Sequence, residues 1–302
     1  MLYQKSPDID KHMLKIPYLL CSSLLLISVN AFARIAFSQN ITNHSNNINS
    51  TVFPISKIND SSITVINAVG DLECSKKLHD QLKTDNLTLF IALGDLCYMR
   101  DLKNFTTTYS DFKKENKLAC LIGYHDAEEN GNSKITKEAR EYCGDHWYIK
   151  VANNSTLVIG FNTNGNTSLQ TNWGQSLVTN STLMKGIKNV MLLAHKPAHT
   201  PPGSDHKADG PTLEMFSAIT SNISKSIQVY EIAAHNHLMA KSSNGLWFIS
   251  GAGGRSLYNY TPDPARSFVN NKEYGYLQIK INNTNGIVLS THFHGLDGKV
   301  IH

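Results

Sequence analysis

The feature that most constrains the fold is a series of short apolar runs, each of which ends abruptly in Gly, Asp or His. The runs are SITVINAVGD, LTLFIALGD, LACLIGYHD, VMLLAH and QVYEIAAHNH, and helical or looped stretches separate them. Continuous apolar runs of this length are typical of strands that are buried on both faces. The spacing within Ser75–Lys83 and Leu213–Ser224 predicts helices that cover the strands. The chain is therefore predicted to be an α/β protein.

The intervals between the run ends suit successive strand, crossover and strand units. Asp71 and Asp95 are 24 residues apart, and Asp95 and His125 are 30 apart. In open α/β sheets, ligands bind beyond the carboxyl ends of the strands. The polar run ends are therefore predicted to gather at one sheet edge. Three later runs, LWFISGAGG, YGYLQIKIN and IVLSTHFHG, predict a second sheet packed on the first.

Composition excludes several classes of protein. A chain of 302 residues fits one large domain plus an export segment. With 41% hydrophobic and 17% charged residues, it is not expected to be disordered, collagen-like or a multi-pass membrane protein. The net charge of +4 is small and comes from mixed acids and bases. We therefore expect no nucleic-acid partner.

The N-terminal segment, residues 1–38, has the order of a secretory signal. Lys11 and Lys15 precede the apolar run Tyr18–Val29, and a small-residue triplet ends at Ala33. A cleaved signal peptide is the preferred interpretation, and a retained N-terminal anchor that attaches the protein to a membrane is the alternative. Residues 39–61 are rich in Asn and Ser and predict a tether. The folded domain is then residues 62–302.

Sequons and cysteines bear on the compartment. The chain contains thirteen Asn-x-Ser/Thr sequons, which favour a glycosylated, exported protein, although an Asn-rich genome would also produce them. Outside the export segment, Cys74, Cys97, Cys120 and Cys143 could form two disulfides or remain core thiols. Their spacing does not match a structural zinc site. The predicted location is extracytoplasmic, either secreted or anchored at the cell surface.

The apolar runs deliver carboxylates and imidazoles that together suit transition-metal ions. The candidate residues are Asp71, Asp95, His125 with Asp126, His195, His235 and His237. Any single pair could be an ordinary turn, as we expect for Gly144 and Asp145. The evidence for a site is that all of them follow predicted strands.

In this order the motifs resemble those of the calcineurin-like metallophosphoesterases, which run D-x-H, GD, GNH[DE], H and GHxH. The chain is most similar to the purple acid phosphatase branch, whose GDxxY motif is matched by residues 94–98. The resemblance covers about residues 62–254. It implies a four-layer α/β/β/α sandwich, with two mixed sheets flanked by helices.

The resemblance also implies two metal ions, Fe(III) plus a divalent ion (Fe, Zn or Mn). Fe(III) would be held by Asp71, Tyr98 and His237. The divalent ion would be held by His195 and His235, and Asp95 would bridge the two ions. Such a pair, about 3.5 to 4 Å apart, lowers the pKa of a bridging water and stabilises displacement at phosphorus.

Tyr124 is the main departure from the family pattern. It stands where the family has a metal-ligating Asn. It could ligate as a phenolate, point away from the site, or mark a weakened second metal site. Glu73 and Ala234 also depart from the pattern, and Glu73 could ligate or be an ordinary acid at a helix start. Gly251, Gly253 and Gly254 match the family's glycine turn and are expected to permit close backbone approach.

Three further residues receive catalytic roles from the resemblance. His125, with Asp126 behind it to set its tautomer, would contact the phosphoryl group or protonate the leaving oxygen. His206 is similar to the family's substrate-contacting histidine, and His199 is a second candidate. The remaining histidines, including His79 and His146, are expected at the surface. His292 and His294 are expected to share one face of a strand.

The resemblance thus implies an exported phosphomonoesterase in which a metal-bound hydroxide attacks a small phosphorylated substrate. One alternative is a catalytically weakened metal-binding surface module of the same fold. Another is a phosphodiesterase or nucleotide phosphohydrolase, since loops decide substrate choice.

Overall fold

The computed structural model describes residues 51–52, 62–98, 102–127, 133–260 and 267–302. The described residues all belong to one compact unit, Asn47–His302. The predicted signal peptide or anchor lies outside them. So does the predicted tether, apart from Thr51–Val52, which form a short strand. None of the described helices has the length and apolar content that a bilayer crossing requires.

The described part of the chain contains thirteen strands and eight helices. The strands are β1 (Thr51–Val52), β2 (Ile63–Val69), β3 (Leu89–Ala92), β4 (Leu118–Cys120), β5 (His146–Val151), β6 (Thr156–Phe161), β7 (Asn189–Leu193), β8 (Gln228–Ala233), β9 (Met239–Ser242), β10 (Trp247–Ser250), β11 (Ser267–Asn270), β12 (Gly275–Asn282) and β13 (Val288–Gly295). The helices are α1 (Lys76–Thr84), α2 (Lys103–Thr108), α3 (Ser110–Lys114), α4 (Tyr124–Ala127), α5 (Ser133–Cys143), α6 (Thr167–Thr179), α7 (Ser181–Met184) and α8 (Gly210–Thr220).

The strands form two mixed sheets. The eight-stranded sheet has the order β1-β5-β6-β7-β8-β10-β9-β11, and the five-stranded sheet has the order β13-β12-β2-β3-β4. In the first sheet β6, β7, β8 and β10 are parallel and β1 is parallel to β5, and in the second β2, β3 and β4 are parallel. Antiparallel strands complete both sheets. The predicted fold class, an α/β sandwich of two mixed sheets flanked by helices, is confirmed.

The division of strands between the sheets differs from the prediction. The motif-bearing strands do not share one sheet, because β2, β3 and β4 lie in the five-stranded sheet and β7 and β8 in the eight-stranded sheet. The late runs do not form a separate sheet either: β10 pairs with β8, and β12 pairs with β2. An apolar run shows that a strand is buried, but it does not show which strand is its neighbour.

The main core lies between the two sheets. It joins residues of both, such as Ile66 and Ile91 from the five-stranded sheet and Met191 and Phe248 from the other. Trp147 is fully buried there, and its indole Nε1 donates to the Cys120 carbonyl, 2.8 Å away. This hydrogen bond joins the sheets, because Trp147 lies on β5 and Cys120 on β4.

Helices cover the outer faces of the sheets. Leu78 and Leu82 of α1 pack with residues of β2 and β3, and Met215 and Phe216 of α8 pack with residues of β6 and β7. Four layers result, as predicted.

The two predicted helices are present, and capping residues set where they begin. Ser75 caps α1, with its Oγ accepting from Leu78 N at 3.2 Å. Asp209 caps α8, so that helix begins at Gly210, three residues before the predicted Leu213. Ser, Thr, Asp and Asn side chains satisfy backbone N–H groups that the first helical turn leaves without partners.

Four cysteines form two disulfides, Cys74–Cys97 and Cys120–Cys143, each spanning 23 residues. The alternative of free core thiols is thereby excluded. Each bridge is expected to stabilise the fold by about 3 kcal/mol. Disulfides persist in oxidising compartments, which supports a location outside the cytosol.

His146 is buried rather than at the surface, where the sequence placed it. It follows the turn at Gly144 and Asp145 and begins β5, with 2% of its surface exposed. Its ring centroid lies 4.2 Å from that of Trp173. Within the described part of the chain, neither ring nitrogen has a hydrogen-bond partner. Burial lowers the pKa of His146.

We expect His146 to make the protein less stable as the pH falls. The unfolded chain takes up a proton at this histidine near pH 6.5, whereas the folded chain does so only at a lower pH. The free energy of unfolding should therefore decrease below about pH 6.5, by at most about 1.4 kcal/mol per pH unit from this residue. Urea unfolding at pH 7.5 and 5.5 measures the effect, and His146→Phe should reduce it. An equal pH dependence in His146→Phe and in a control substitution at the exposed His292 would contradict the assignment.

Candidate metal centre

Two aspartates follow neighbouring strands of the five-stranded sheet. Asp71 lies beyond the end of β2 and Asp95 beyond the end of β3, and both are buried, with 0% and 1% exposure. Their φ angles are 56° and 53°, a backbone conformation that non-glycine residues seldom adopt. The two loops are hydrogen-bonded to each other, since Asp71 N donates to Gly94 O and Leu72 N donates to Asp95 O. Such strained, mutually supported backbone is a feature of functional sites.

Three atoms that could donate a lone pair to a metal ion lie close together, one each from Asp71, Tyr98 and His237. The Tyr98 hydroxyl lies 2.9 Å from Asp71 Oδ1 and 2.9 Å from His237 Nε2, and that nitrogen lies 3.5 Å from Asp71 Oδ1. The other ring nitrogen of His237 donates to the Ser256 carbonyl at 2.9 Å. Because a carbonyl oxygen only accepts, His237 carries its proton on Nδ1, and in the neutral ring Nε2 presents a lone pair.

The Tyr98 phenol is strongly biased toward its neutral form. Burial and the Asp71 carboxylate raise the pKa of Tyr98 far above its ordinary range. A cation among these donors would oppose both effects, because it stabilises the phenolate. A phenolate, a carboxylate and an imidazole form a donor set that suits a hard transition-metal ion.

His195 is arranged in the same way beside Asp95. Its Nδ1 donates to the Leu93 carbonyl at 2.9 Å, and its Nε2 lies 3.4 Å from Asp95 Oδ1. His195 is fully buried, and Nε2 has no hydrogen-bond partner among the described residues. An unpartnered buried nitrogen next to a carboxylate is unfavourable unless a positive charge lies between them. Asp71, Asp95 and His195 each offer a ligand atom within 4.8 Å of the others.

The electrostatics at Asp95 favour a bound cation. Burial opposes protonation of His195, but the Asp95 carboxylate outweighs burial and raises the pKa of His195 to about 9. Burial also opposes the charge on Asp95, yet His195 and His125 hold the pKa of Asp95 well below its usual range. A proton on His195 therefore supplies the positive charge that a metal ion would otherwise provide. The residues present thus fit a metal ion.

His235 completes the histidine group. Its backbone N donates to Asp71 Oδ2 at 2.8 Å, and its φ angle is 69°. The ring centroid lies 5.0 Å from that of His195 and 4.1 Å from that of His206. Burial and these two neighbouring histidines lower the pKa of His235 to about 2, so the ring is neutral and can donate a lone pair.

His125 borders the carboxylate of Asp95. Its backbone N donates to Asp95 Oδ1 at 2.9 Å, and its Nε2 lies 3.8 Å from Asp95 Oδ2. The His125 ring centroid is 4.6 Å from that of Tyr98. His125 therefore lies beside both Asp95 and Tyr98.

The buried carboxylate of Asp126 joins two loops of the site. Its oxygens accept from Leu96 N and Gly123 N, each at 2.8 Å. Burial and the Asp95 charge raise the pKa of Asp126 to about 7. The loops after β3 and β4 are held together in this way. The role predicted for Asp126, setting the tautomer of His125, stays a prediction.

Tyr124 lies at the rim of the site, with 37% of its surface exposed. Its ring makes an edge contact with the His125 ring, 5.4 Å between centroids, and the Lys196 ammonium lies 5.6 Å from its centroid. These contacts involve the aromatic face and edge of Tyr124. Metal ligation by its hydroxyl stays a prediction.

The structure separates the two candidates for a substrate-contacting histidine. The ring of His206 stacks on the ring of His235, which is a predicted metal ligand. His199 instead pairs with Glu231 at 3.2 Å and stacks on Trp247. Of the two, His206 is the one that contacts the predicted metal ligands. Glu73 is exposed and pairs with Arg255 at 2.9 Å.

Sequence reasoning missed Arg255 and Tyr258. The Arg255 guanidinium lies 4.5 Å from the Tyr98 ring centroid, and its backbone N donates to Asp71 O. Tyr258 stacks on the His237 ring, 4.1 Å between centroids. Both follow the glycine turn after β10, but no local pattern distinguishes them from other loop residues.

Two glycines allow the backbone to approach the carboxylates closely. A Cβ on Gly123 would overlap the backbone and carboxylate of Asp95, and one on Gly251 would overlap Asn236 O and crowd Asp71 Oδ2. The close approach expected at Gly251 is therefore present. Ala234, which replaces a family glycine, is tolerated because its methyl group faces Gly70.

Comparisons with known proteins agree with the fold. No protein-family model matches the chain, and no curated protein sequence matches it. A solved structure described as GAP50, the anchor in the inner membrane complex of Plasmodium, is similar at a TM-score of 0.56 with 16% identity, covering 80% of this chain and 88% of that one. This likeness establishes a shared fold and nothing more.

Two more distant structures are similar at lower scores. One is described as a 5′-nucleotidase from Staphylococcus aureus, at a TM-score of 0.46 and 11% identity, covering 78% of this chain and 54% of that one. The other is described as Yfce, a phosphoesterase from E. coli, at 0.35 and 10%, covering 76% and 98%. At TM-scores below 0.5 neither bears on the function.

Proposed function

We propose that this protein is a metal-dependent phosphoesterase that hydrolyses phosphomonoesters, of the purple acid phosphatase type. The observation that carries the proposal is the convergence of Asp71, Asp95 and His195, three buried ligands from separate loops. The donor triangle of Tyr98, Asp71 and His237 supports it further.

The proposed ligand assignment follows the resemblance. Fe(III) would be held by Asp71, Tyr98 and His237, and a divalent ion by His195 and His235. Asp95 would be shared between them. When bound, the ions would act as Lewis acids and lower the pKa of water. The hydrogen bonds from His195 and His237 to backbone carbonyls support this assignment, because they fix the tautomer in which Nε2 can ligate.

Two imidazoles beside the donors are proposed to act on the substrate. His125 lies next to Asp95, and His206 lies next to His235. Either can donate a hydrogen bond to a phosphoryl oxygen, and a protonated imidazole can supply the proton that the leaving alcohol needs. Cations and imidazoles placed around the phosphoryl group would stabilise the negative charge that develops there in the transition state.

We further propose that the protein is exported and glycosylated, and that it is secreted or held at the cell surface. The two disulfides support an oxidising compartment. The sequons and the N-terminal apolar segment support export.

A second candidate is a metal-binding surface module with little turnover. The observation that favours it is the position of Tyr124, exposed at the rim where the family has a metal-ligating Asn. A weakened second metal site would leave the first ion without the partner that two-metal catalysis needs. The Plasmodium structure of similar fold is described as an anchor, which is compatible with a binding role for this fold.

Metal analysis combined with an aryl phosphate assay tests the proposal. We expect two ions per purified chain and hydrolysis that chelation abolishes and added metal restores. An aryl phosphodiester measured in parallel should be the poorer substrate. One ion or none, with no turnover after reconstitution, would instead support the binding module. Faster cleavage of the diester would reject the monoester assignment.

A further inference from the structure

The backbone of His206 is held by a single buried side chain. Asn236 Oδ1 accepts from His206 N at 3.1 Å, and Asn236 Nδ2 donates to His206 O at 3.0 Å. Because a backbone N–H can only donate and a carbonyl can only accept, this pairing fixes the orientation of the amide. Asn236 is fully buried and lies between the two predicted ligands His235 and His237.

The ring of His206 is held as well. Its Nε2 lies 2.9 Å from the Tyr258 hydroxyl, and its face stacks on the His235 ring at 4.1 Å. The Tyr258 ring in turn stacks on the His237 ring, and the Tyr258 hydroxyl lies 3.3 Å from His237 Nε2. The His206 side chain is thus fixed on one face and at its tip.

Tyr258 has its own backbone support. Its N donates to His237 O at 3.2 Å, and its carbonyl accepts from Asn271 Nδ2 at 2.9 Å. His206 itself lies on HKPAHTPPGSDH, a stretch rich in Pro and Gly that forms loop rather than helix or strand at this position. A histidine on such a loop would ordinarily lose rotamer freedom on binding a ligand.

We infer that Asn236 and Tyr258 are positioning residues that hold the His206 imidazole in a fixed orientation against the loop His235–His237. The inference rests on the proposed function, since it assigns a purpose to His206 at the same site. Asn236 fixes the backbone and Tyr258 fixes the ring. A phosphoryl group bound at the metal centre then meets an imidazole that is already oriented, which is the condition for effective positioning.

The contribution of Asn236 is tested by amide hydrogen exchange, which needs neither metal nor activity. Asn236→Ala should accelerate exchange at the His206 amide and along residues 196–209 by about tenfold or more, because the amide loses its acceptor. The matched control is Asn189→Ala. Asn189 is also buried, and its Nδ2 donates to Gly286 O and Thr156 Oγ1, far along the chain from His206. Unchanged exchange in Asn236→Ala, or equal acceleration in both variants, would overturn the inference.

The contribution of Tyr258 is tested by Tyr258→Phe, which keeps the ring stack on His237 and removes the hydroxyl. We expect unchanged metal content, a kcat for an aryl phosphate lowered about tenfold, and a several-fold weaker affinity of the metal-loaded protein for orthophosphate by calorimetry. Tyr109→Phe is the control, because the buried Tyr109 hydroxyl has no hydrogen-bond partner among the described residues. A purely structural role would lower stability without changing orthophosphate affinity or kcat.

The readouts separate this inference from the proposed function. If the wild-type protein hydrolyses nothing, the phosphoesterase proposal fails, whereas orthophosphate affinity and amide exchange still decide the role of Asn236 and Tyr258. If orthophosphate affinity and kcat are the same in Tyr258→Phe and the wild type, Tyr258 does not position His206. A loss of metal in Tyr258→Phe would also overturn the inference, since the hydroxyl would then act on the metal ligands rather than on His206.

Discussion

Asp95→Asn is expected to abolish hydrolysis of an aryl phosphate while the domain stays folded. The substitution removes the negative charge that faces both His195 and His125, and with it the carboxylate proposed to be shared by two ions. Loss of that group should lower kcat/KM by about a thousandfold or more. The metal content should fall as well.

The fold should survive because asparagine keeps the hydrogen bond that matters locally. Its amide oxygen can still accept from His125 N, the contact that Asp95 Oδ1 makes at 2.9 Å. Circular dichroism and urea unfolding check this point. Asp297→Asn, at an exposed carboxylate paired with Lys299, is the control and should retain full activity. Full turnover in Asp95→Asn would refute the shared-ligand assignment.

Tyr98→Phe should remove the visible absorption band of the iron-loaded protein. A phenolate bound to ferric iron absorbs visible light by charge transfer from ligand to metal, and phenylalanine has no oxygen to bind. The measurement is the absorption spectrum of wild-type and variant protein at equal iron content. Activity should fall too, since Tyr98, Asp71 and His237 are the three proposed ligands that lie together and the variant lacks one of them.

A neighbouring phenol provides the control for this experiment. The Tyr258 hydroxyl also approaches His237 Nε2, at 3.3 Å, whereas the Tyr98 hydroxyl contacts both His237 Nε2 and Asp71 Oδ1, each at 2.9 Å. Tyr258→Phe should therefore keep the band that Tyr98→Phe loses. If the band survives in Tyr98→Phe and disappears in Tyr258→Phe, the ligand assignment is wrong and Tyr258 is the ligand.

Much of the fold could be predicted because a buried strand is marked by a run of consecutive apolar residues in the sequence. The continuous apolar runs at β2 and β3 indicated strands covered on both faces, and the structure has them. The partition of strands into two sheets could not be predicted. It depends on pairings between distant segments, such as β12 with β2, that no local pattern encodes.

The residues of the candidate site also divide into those that the sequence predicted and those that only the structure revealed. Asp71, Asp95 and His195 could be expected near one another because each follows a buried strand, and strand ends converge. Asn236 and Tyr258 were not predicted, because their role comes from contacts with His206, which lies 30 and 52 residues away from them in the sequence. An asparagine between two histidines has no local signature of that kind.

Burial of individual polar residues was the least predictable property. His146 follows an ordinary turn, and nothing in its neighbourhood shows that Trp173 of α6 will cover it. Only the packing of a helix from elsewhere in the chain decides its exposure. Glu73 is the opposite case, because its exposed position at a helix start is what its local sequence suggests.

The Cys74–Cys97 bridge links the loop of Asp71 to the loop of Asp95 and Tyr98. Three proposed iron ligands are therefore fixed relative to one another by a covalent bond as well as by packing. The bridge limits how far the two loops can separate, whether or not an ion is bound between them. A chain in which Cys74 and Cys97 are reduced would lack this covalent link between the two candidate ligand loops.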